Sequence, residues 1–377
     1  MNTYLLFLFL KIANKLNCKG LVRSILLYIR LPYKKHFSSV EDAEDYVNSK
    51  YPDVDNSCVC HNTVMRPPLY DLQIVIPVYN VEPYIGPCIQ SVLEQQTQYT
   101  FIVNVVNDGS TDGSRKILEN YANDKRIRII DQDNKGIGGA RNTAIKNIEA
   151  KYLMFIDSDD LLAEGAIENL MQVAIKEDAD IVEGSYTYYS QNSKRLVKHK
   201  TGVLPPSDFC GYPWGKVIKA DLFENIQFPL SYWYEDTLMG LVVFRLSKKS
   251  IGIEDVVYYY RTNPNSMTHK ANRQYKNIDS FYVTRRLLKD RKMLNIGMTE
   301  ELFQTLFEKQ IPINTSRIAS VPDAKLNYAH FILTCALVEN LCEQKEFVFN
   351  SEKANNIFRA IKERDYYHFV VYCLFSE

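Results

Sequence analysis

The sequence lacks an excess of charge of either sign, with 45 lysine and arginine residues against 45 aspartate and glutamate residues in 377. Nucleic-acid-binding domains usually carry a basic face, so this balance gives no support for a nucleic-acid partner. Eight cysteines are too few for a disulfide scaffold in a chain of this length, which favours a reducing, cytoplasmic location. An apolar fraction of 46% still supplies a sizeable core and excludes a disordered protein.

Long apolar runs are missing as well. The longest near the start, YLLFLFL at 4–10, is far below the roughly 20 residues that a membrane-spanning helix needs. It also lacks the basic flank and the small-residue cleavage site of a signal peptide. Residues 1–35 alternate apolar clusters with seven lysine and arginine residues. This pattern predicts either a helix lying in an anionic membrane interface or a helix packed on the protein's own body.

Strands alternate with helices in the middle of the chain. LQIVIPVY at 72–79 is a continuous apolar, β-branched run of the kind found in a parallel strand covered on both faces. Further strands are predicted at 101–106, 127–130, 152–156 and 180–185, separated by segments of helical spacing. This alternation predicts βαβ units, and therefore an α/β fold with a mostly parallel sheet and helices on both faces.

The pattern divides the chain into three predicted regions. Residues 1–70 form a basic, amphipathic N-terminal segment and a connector that is rich in turn signals. Residues 71–275 carry the strand–helix alternation, and long helical patterns over 276–377 predict a helical C-terminal domain.

Polar residues follow three of the predicted strands, and one group is strongly acidic. FIDSDDLL at 155–162 contains Asp157, Asp159 and Asp160 within four positions. Two leucines stand where an EF-hand loop needs a ligand and a glycine, and a helix N-cap accounts for only one carboxylate. A divalent cation held by one or two carboxylates and completed by substrate phosphates accounts for the cluster, with an ordinary polar turn as the alternative.

A second polar group, NDGSTDGS at 107–114, closes a strand and opens a helix. It has no GK[ST] sequence, so it is not a Walker phosphate loop. Asp108 offers an acceptor that suits a nucleobase N–H or a ribose hydroxyl, and an Asx-turn with a helix cap is the alternative. Ligands bind beyond the carboxyl ends of strands in such sheets, which is where both polar groups fall.

Four ordered motifs carry a resemblance to a known family: IVIPVYN (74–80), VNDGSTDGS (106–114), NKGIGGARNTAI (134–145) and MFIDSDD (154–160). In order and spacing they resemble the family-two glycosyltransferases of the GT-A fold, inverting enzymes that use nucleotide-diphosphate sugars. The resemblance covers about residues 72–275. It implies a GT-A domain, a Rossmann-like and mostly parallel sheet, followed by the helical C-terminal domain.

The resemblance also implies the donor-binding residues. Pro77, Tyr79 and Asn80 flank the base, and Asp108 reads the uracil or ribose edge. The family often has aspartate where this chain has Asn107.

The same resemblance implies a DxD pair around Ser158, which we expect on the donor side. Asp159 ligates a Mg²⁺ or Mn²⁺ ion that bridges the diphosphate, while Asp157 reaches the ribose or a metal-bound water. Arg141 and Asn142 lie near the start of a helix, where they either face the donor or form an exposed helical face.

A third constellation, YWYEDTLMG at 232–240, joins aromatic residues to the acid pair Glu235-Asp236. An apolar setting raises a carboxylate pKa toward the range of a general base. Family resemblance assigns the base of an inverting transfer to this motif, so we predict Asp236 as the base, with Glu235 second. The alternative is that both acids simply start a helix.

Two further segments complete the predicted site. In GYPWGKVIK at 211–219, Trp214 either stacks on the acceptor sugar or belongs to the core, and Lys216 approaches the diphosphate. In the polar loop after the next strand, Arg261 and His269 are candidates for phosphate or metal contact.

These observations predict a metal-dependent, inverting glycosyltransferase that moves a sugar from a nucleotide-diphosphate donor, with UDP-sugars favoured, to a hydroxyl of a glycan or lipid-linked acceptor. We expect it in the cytoplasm or at the inner face of the membrane, in surface polysaccharide synthesis. One alternative is a catalytically inactive relative that binds sugar nucleotides. The other is a sugar-nucleotide nucleotidyltransferase, although the glycine-rich basic loop of that class is missing after the first strand.

Overall fold

The computed structural model describes residues 3–28, 31–190, 193–262, 273–342 and 347–375. Its strands are β1 (Val64–Val78), β2 (Phe101–Asp108), β3 (Ile127–Gln132), β4 (Asn147–Phe155), β5 (Leu161–Leu162), β6 (Ile181–Ser190), β7 (Ser193–Val197), β8 (Gly202–Val203), β9 (Lys216–Lys219) and β10 (Ser250–Arg261). They form a mixed sheet of order β3-β2-β1-β4-β9-β6-β10-β5, in which β7 pairs with β6 and β8 with β10. The four neighbouring strands β3, β2, β1 and β4 are parallel to one another. Strand β9 is antiparallel to both of its neighbours, β4 and β6. This arrangement confirms the predicted, mostly parallel GT-A sheet.

Helices cover the sheet and continue beyond it. Those before and between the strands are α1 (Thr3–Lys15), α2 (Lys19–Tyr28), α3 (Val40–Lys50), α4 (Glu82–Leu93), α5 (Ser114–Glu119), α6 (Gly136–Ile145), α7 (Ala166–Lys176) and α8 (Phe244–Leu246), which continues the π-helical turn Met239–Val243. The C-terminal helices are α9 (Asp279–Met293), α10 (Glu300–Thr305), α11 (Ile311–Ala319), α12 (Ala324–Cys342), α13 (Glu352–Lys362) and α14 (Tyr366–Phe375). A second π-helical turn, Leu306–Gln310, joins α10 to α11. The C-terminal region is therefore helical, as predicted.

The apolar run of β1 supplies both faces of the sheet. Ile74 and Ile76 point toward α4 and α7, whereas Val75 points toward α6 and the C-terminal helices. Successive side chains of a strand alternate between faces, so a run without polar interruptions is needed where both faces are covered.

The first strand begins at Val64 rather than at residue 72, inside the segment predicted as a connector. The sequence did not predict this extension because it contains Pro67 and Pro68. Proline has no backbone N–H to donate to a neighbouring strand. The structure accommodates them where the register between β1 and β4 shifts, between Met65 and Tyr70. The strand therefore continues on the far side of this irregularity.

The N-terminal helices pack on the C-terminal helices. Leu6, Phe7 and Leu10 of α1 are buried in the core cluster that includes α11, α12 and α14. The Tyr367 hydroxyl donates to the carbonyl of Leu26 in α2 at 2.6 Å. One face of α1 thus packs on the protein's own body, as one of the two alternatives predicted. Among the described residues, no helix combines the length and apolar character needed to cross a membrane.

Candidate active site

Three parallel strands end at the same edge of the sheet. The pairing of Val78 with Asn107 aligns the ends of β1 and β2, and the pairing of Val75 with Phe155 brings the end of β4 beside them. The polar residues after these strands therefore lie along one rim, where α/β sheets bind ligands. Pro77 is buried within β1, and Tyr79 is exposed at the rim.

The loop after β1 is fastened to the loop after β2. Asn80 has a φ of 52°, a left-handed conformation that asparagine tolerates better than most residues. Its side-chain oxygen accepts from the backbone N–H of Thr111 at 2.8 Å. The N–H of Val81 in turn donates to the Ser114 hydroxyl at 2.9 Å. Asn80 thus holds the two loops together, while its neighbour Tyr79 faces outward.

Asp108 is buried at the end of β2, where its Oδ1 accepts two hydrogen bonds. The donors are the Gln132 side chain at 2.6 Å and the backbone N–H of Lys135 at 2.8 Å. Asn107 beside it donates to Asp131 at 2.8 Å. The bonds fix the Asp108 carboxylate at the rim, in the region where the sequence predicts recognition of the base or ribose.

The three acids after β4 occupy different environments. The side chain of Asp157 is 25% exposed and that of Asp159 is half-buried, while Asp160 and Ser158 are buried. Asp160 accepts from the Tyr258 hydroxyl at 2.9 Å and from the N–H of Arg261 at 2.7 Å. Burial and the nearby negative charges of Asp157 and Asp159 raise the pKa of Asp160 well above its usual value.

Tyr258 and Arg261 of β10 hold the backbone of this acidic loop through hydrogen bonds. The N–H of Asp157 donates to the Tyr258 hydroxyl at 3.0 Å, and the Arg261 Nε donates to the carbonyl of Asp159 at 2.7 Å. Leu161 and Leu162, which follow the acids, pair with β10 as the short strand β5. The loop is therefore held by backbone and buried side chains, which leaves Asp157 and Asp159 nearest to solvent.

The chemistry of this pair fits a hard divalent cation. Carboxylate oxygens are the ligands that Mg²⁺ prefers, and it commonly takes one or two of them with substrate phosphates and water. Within the described ranges, no group of three or more His, Cys, Asp or Glu side chains could hold a metal. A cation at Asp157 and Asp159 would accordingly share its coordination with a ligand.

Arg141 joins the rim to the predicted base motif. Its guanidinium forms ion pairs with Asp157 at 2.8 Å and with Glu235 at 2.6 Å, and its side chain is only 2% exposed. Helix α6, which carries Arg141, packs closely against the acid pair. A Cβ atom added at Gly138 of this helix would lie only 3.3 Å from the Glu235 side chain. Arg141 therefore contacts Glu235 of the predicted acid pair as well as Asp157 at the rim. Asn142 exchanges two hydrogen bonds with the Phe228 backbone and holds the same helix.

The acid pair lies in a largely apolar environment. Burial raises the pKa of Glu235 to about 7, against the opposing effect of Arg141. Burial also raises the pKa of Asp236, and Arg317 and Arg141 oppose that shift. The Glu235 carboxylate accepts a hydrogen bond from Arg141. Asp236 is half-buried, and no side chain in the described part of the chain hydrogen-bonds to it. Of the two acids, Asp236 has the more available carboxylate.

The raised pKa of Glu235 predicts a pH dependence of stability. Between about pH 4.5 and 7 the folded protein holds a proton on Glu235 that the unfolded chain has released, so the free energy of unfolding falls as pH rises. Glu235→Gln should flatten this decline by up to about 1.4 kcal/mol per pH unit. Urea unfolding of both proteins at pH 5, 6 and 7 measures the two slopes. Equal slopes would contradict the assigned protonation, since the other buried acids are common to both proteins.

The segment before the acid pair is tied to the C-terminal helices. Tyr234 has a φ of 65°, an unfavourable conformation for an aromatic residue. Its hydroxyl donates to Asn277 at 2.7 Å, and the N–H of Trp233 donates to Asp279 at 2.8 Å. The guanidinium of Arg317 lies 3.6 Å from the centre of the Tyr234 ring. These contacts hold the acid pair against the C-terminal helices, and no motif in the sequence points to Arg317.

The structure differs from the expectation that Trp214 offers a free face to a sugar. The indole is buried between Tyr212 and Tyr258, at ring distances of 4.8 and 4.5 Å and interplanar angles of 8°. Both of its faces are covered, which matches the alternative that Trp214 belongs to the core. Tyr212 is the partly exposed end of this stack.

Lys216 also lies elsewhere than expected. Its side chain is fully buried, and the ammonium donates to the carbonyls of Cys210 at 2.9 Å and Tyr212 at 2.6 Å. Glu183 balances its charge at 3.4 Å. Because these partners occupy the ammonium, Lys216 fixes the loop before β9 instead of approaching a diphosphate. His269 lies outside the described residues.

Comparison with known proteins decides the family. The sequence profile of Glycosyl transferase family 2 matches residues 73–230. Glycosyltransferase GlyG of Streptococcus pneumoniae is 30% identical over 222 residues, which are 52% of this chain and 72% of that protein. The chain belongs to glycosyl transferase family 2.

Other relatives in the family are longer than the matched region. Glycosyltransferase GlyA of S. pneumoniae is 27% identical over 297 residues, 73% of this chain and 42% of its own length. The uncharacterized glycosyltransferase EpsJ of Bacillus subtilis is 34% identical over 218 residues, 52% of this chain and 62% of its own length. The chain thus spans less than two thirds of either protein.

Solved structures agree with the fold. Staphylococcus aureus TarS 1–349 in complex with UDP-GlcNAc superposes with a TM-score of 0.61 at 18% identity, covering 80% of this chain and 89% of that one. The same protein in complex with UDP gives a TM-score of 0.58 at 19% identity with the same coverage. At these identities the likeness establishes the fold alone, which is the GT-A architecture.

Proposed function

We propose that this protein transfers a sugar from a nucleotide-diphosphate donor to a hydroxyl of a glycan or lipid-linked acceptor, with inversion at the anomeric carbon. The observation that carries the proposal is Arg141, which pairs on one side with Asp157 at the strand rim and on the other with Glu235. Donor-side and acceptor-side acids are thereby held at fixed positions relative to each other. Such preorganisation is what a displacement between two bound substrates requires.

In this mechanism Asp236 acts as the general base. Its carboxylate takes the proton of the acceptor hydroxyl while the oxygen attacks the anomeric carbon. The bond between that carbon and the diphosphate oxygen breaks, and the electron pair leaves with the nucleotide diphosphate. A single displacement inverts the configuration and needs no covalent bond to the enzyme. The contact between Arg141 and Glu235 orients the acid pair beside the proposed acceptor.

We propose that Asp159 and Asp157 hold a Mg²⁺ or Mn²⁺ ion. A bound divalent cation supplies stabilisation of the charge that develops on the departing diphosphate. Asp157 also remains within 2.8 Å of Arg141, so its carboxylate is oriented before any cation binds. Asp108, Tyr79 and Asn80 are the residues proposed to receive the base and ribose.

Similar proteins support a proposal for the nucleotide of the donor and for the type of polymer that is made. The TarS structures hold UDP and UDP-GlcNAc, which favours a uridine diphosphate sugar here. Named relatives include the minor teichoic acid biosynthesis protein GgaB of B. subtilis and the chondroitin synthase of Escherichia coli. We therefore propose a role in assembling a surface polysaccharide or a related polymer, at the cytoplasmic face of the membrane.

Nucleotide binding tests the donor and metal assignments together. Calorimetry should find that Mn²⁺ tightens UDP binding to the wild type by about tenfold or more, equal to about 1.4 kcal/mol. Asp159→Ala should lose this gain, because the proposed ligand is gone, while Asp45→Ala on the exposed face of α3 should keep it. A metal effect that survives in Asp159→Ala would contradict the assigned ligand. No binding of UDP in either condition would contradict the donor class.

The N-terminal helices support a further part of the proposal, contact with an anionic membrane surface. Leu5, Phe9 and Ile12 of α1 and Leu21 and Ile25 of α2 are exposed apolar side chains. The first 40 residues contain seven lysine and arginine residues and no acidic residue, although the whole chain is neutral. Apolar side chains flanked by basic ones suit the headgroup region of an anionic bilayer.

Vesicle sedimentation tests this contact. The wild type should bind vesicles that contain anionic lipid more strongly than vesicles of zwitterionic lipid alone, since the basic residues add an electrostatic attraction. The double variant Phe9→Ser and Ile12→Ser should lose binding, whereas Leu69→Ser and Val348→Ser, which alter exposed apolar residues elsewhere, should retain it. Unchanged sedimentation of the Phe9 and Ile12 variant would count against the membrane contact.

A further inference from the structure

Arg317 of α11 lies outside the sheet domain and reaches the segment that carries the predicted base. Its guanidinium stacks 3.6 Å from the centre of the Tyr234 ring, two residues before Asp236. One of its terminal nitrogens donates to the Ser280 hydroxyl at 2.9 Å. The stacking and the hydrogen bond fix both the plane and the direction of the guanidinium.

A chain of hydrogen bonds locks this arrangement in place. Tyr234 donates to Asn277, Asn277 donates to the Ser320 hydroxyl at 2.8 Å, and Ser320 donates to the carbonyl of Arg317 at 2.6 Å. Ser280 in turn donates to Asn314 at 2.6 Å. The loop closes on itself, so the base segment and α11 are held as one unit. Such fully satisfied polar networks are rigid and specific.

The region around the acid pair contains more carboxylates than Arg141 alone can pair with. Asp157, Glu235 and Asp236 are three carboxylates in one region, and Arg141 already forms ion pairs with the first two. Within the described residues, no carboxylate lies within ion-pair distance of Arg317. Asp236 is the acid whose charge acts most strongly on it. Because its guanidinium is also stacked on Tyr234, two residues before Asp236, Arg317 is the cation available to the third carboxylate.

The other groups that act on Asp236 come from several elements. Burial raises its pKa, and Arg317 from α11 opposes this more strongly than Arg141 from α6 does. Asp157 after β4 adds to the increase. The charge of Asp236 in turn raises the pKa of its chain neighbour Glu235. The charge of Asp236 also raises the pKa of three titratable groups around it, Cys210, Tyr212 and Tyr234.

We propose that Arg317 is a positioning residue of the transfer reaction: anchored on Tyr234 and Ser280, its guanidinium presents a positive charge to the Asp236 carboxylate and keeps it ionised, ready to accept a proton. The inference rests on the proposed function, because it assigns a partner to the base of that reaction. It also gives the C-terminal helices a part in the chemistry, since the residue comes from α11 and its anchor from α9.

The test is the pH dependence of kcat/KM for UDP-sugar hydrolysis, in which water replaces the acceptor. In Arg317→Gln the acidic limb should move to higher pH by about one unit, because an opposite charge at such range lowers a carboxylate pKa by that order. Activity should recover toward wild type at high pH. Arg317→Lys keeps the charge, so its limb should stay near the wild-type position.

The outcomes separate a charge effect from a structural one. A rate that falls equally at every pH in Arg317→Gln, or an equal shift in Arg317→Lys, would overturn the role of the charge. If Arg317→Gln does not fold, Arg317→Met provides the same comparison, because its unbranched side chain can still pack on Tyr234. A wild type that hydrolyses no donor would instead refute the proposed function, and the inference with it.

Discussion

Replacing Asp236 with asparagine is expected to lower the rate of sugar transfer or donor hydrolysis by about a hundredfold to ten-thousandfold, the usual contribution of a general base. Asparagine keeps the size of the side chain but cannot accept the acceptor's proton at neutral pH. Affinity for UDP should remain, because Asp236 lies beside Glu235 on the proposed acceptor side and not on the strand rim. Steady-state kinetics and calorimetry on the same preparation measure the two quantities.

The matched control is Asp45→Asn, which alters an exposed carboxylate on α3. It should leave both the rate and the UDP affinity at wild-type values. If Asp236→Asn kept more than about a tenth of wild-type activity, it would fall outside the range of a lost general base, and the base would have to be sought elsewhere.

Replacing Arg141 with methionine should destabilise the fold by about 3–5 kcal/mol, the cost of leaving buried charges without their partner. Two carboxylates lose their ion pairs in this variant, and the side chain they lose is almost fully buried. Chemical unfolding at pH 8 measures the change in the free energy of unfolding. The loss should be smaller at pH 5.5, where Glu235 is already protonated in the folded protein.

Arg128→Met serves as the control for an exposed ion pair. Arg128 lies 3.1 Å from Glu149, but its side chain is 42% exposed. We expect its removal to cost less than about 1 kcal/mol, because solvent screens such pairs. A loss in Arg141→Met that is no larger than this control would contradict the view that Arg141 binds the two acids together.

The parallel half of the sheet could be predicted because its strands are encoded locally. Continuous apolar runs such as that of β1 indicate strands covered on both faces, and the polar residues that end them indicate the ligand rim. The unequal roles of Asp157, Asp159 and Asp160 were harder to predict. Their difference depends on Tyr258, which lies about a hundred residues away in the chain and supports only Asp160 and the loop backbone.

The positions of Trp214 and Lys216 could not be derived from their motif. Spacing puts Trp214 just before β9 and Lys216 at its first position, but the direction of each side chain depends on distant partners. Tyr258 covers one face of Trp214, and Glu183 attracts the Lys216 ammonium into the core. A polar residue in a family motif can therefore be part of the site's support instead of its surface.

Arg317 carries no signal in the sequence at all. It stands in an ordinary amphipathic helix, and its importance comes from the packing of α11 and α9 against the segment at Tyr234. Nothing local to α11 specifies that contact, because the contact depends on how the C-terminal helices dock on the sheet domain. Long-range docking of this kind is invisible to spacing and propensity.

The most direct test of the account is UDP release from a panel of UDP-sugars in the presence of Mn²⁺. We predict that the wild type releases UDP from at least one donor and that Asp236→Asn and Asp159→Ala both lose this activity. Of the two variants, Asp236→Asn should keep the metal-dependent UDP binding of the wild type, and Asp159→Ala should lose it. Absence of release with every donor, or release that is equal in all three proteins, would contradict the assignment of this sheet edge as a glycosyltransferase active site.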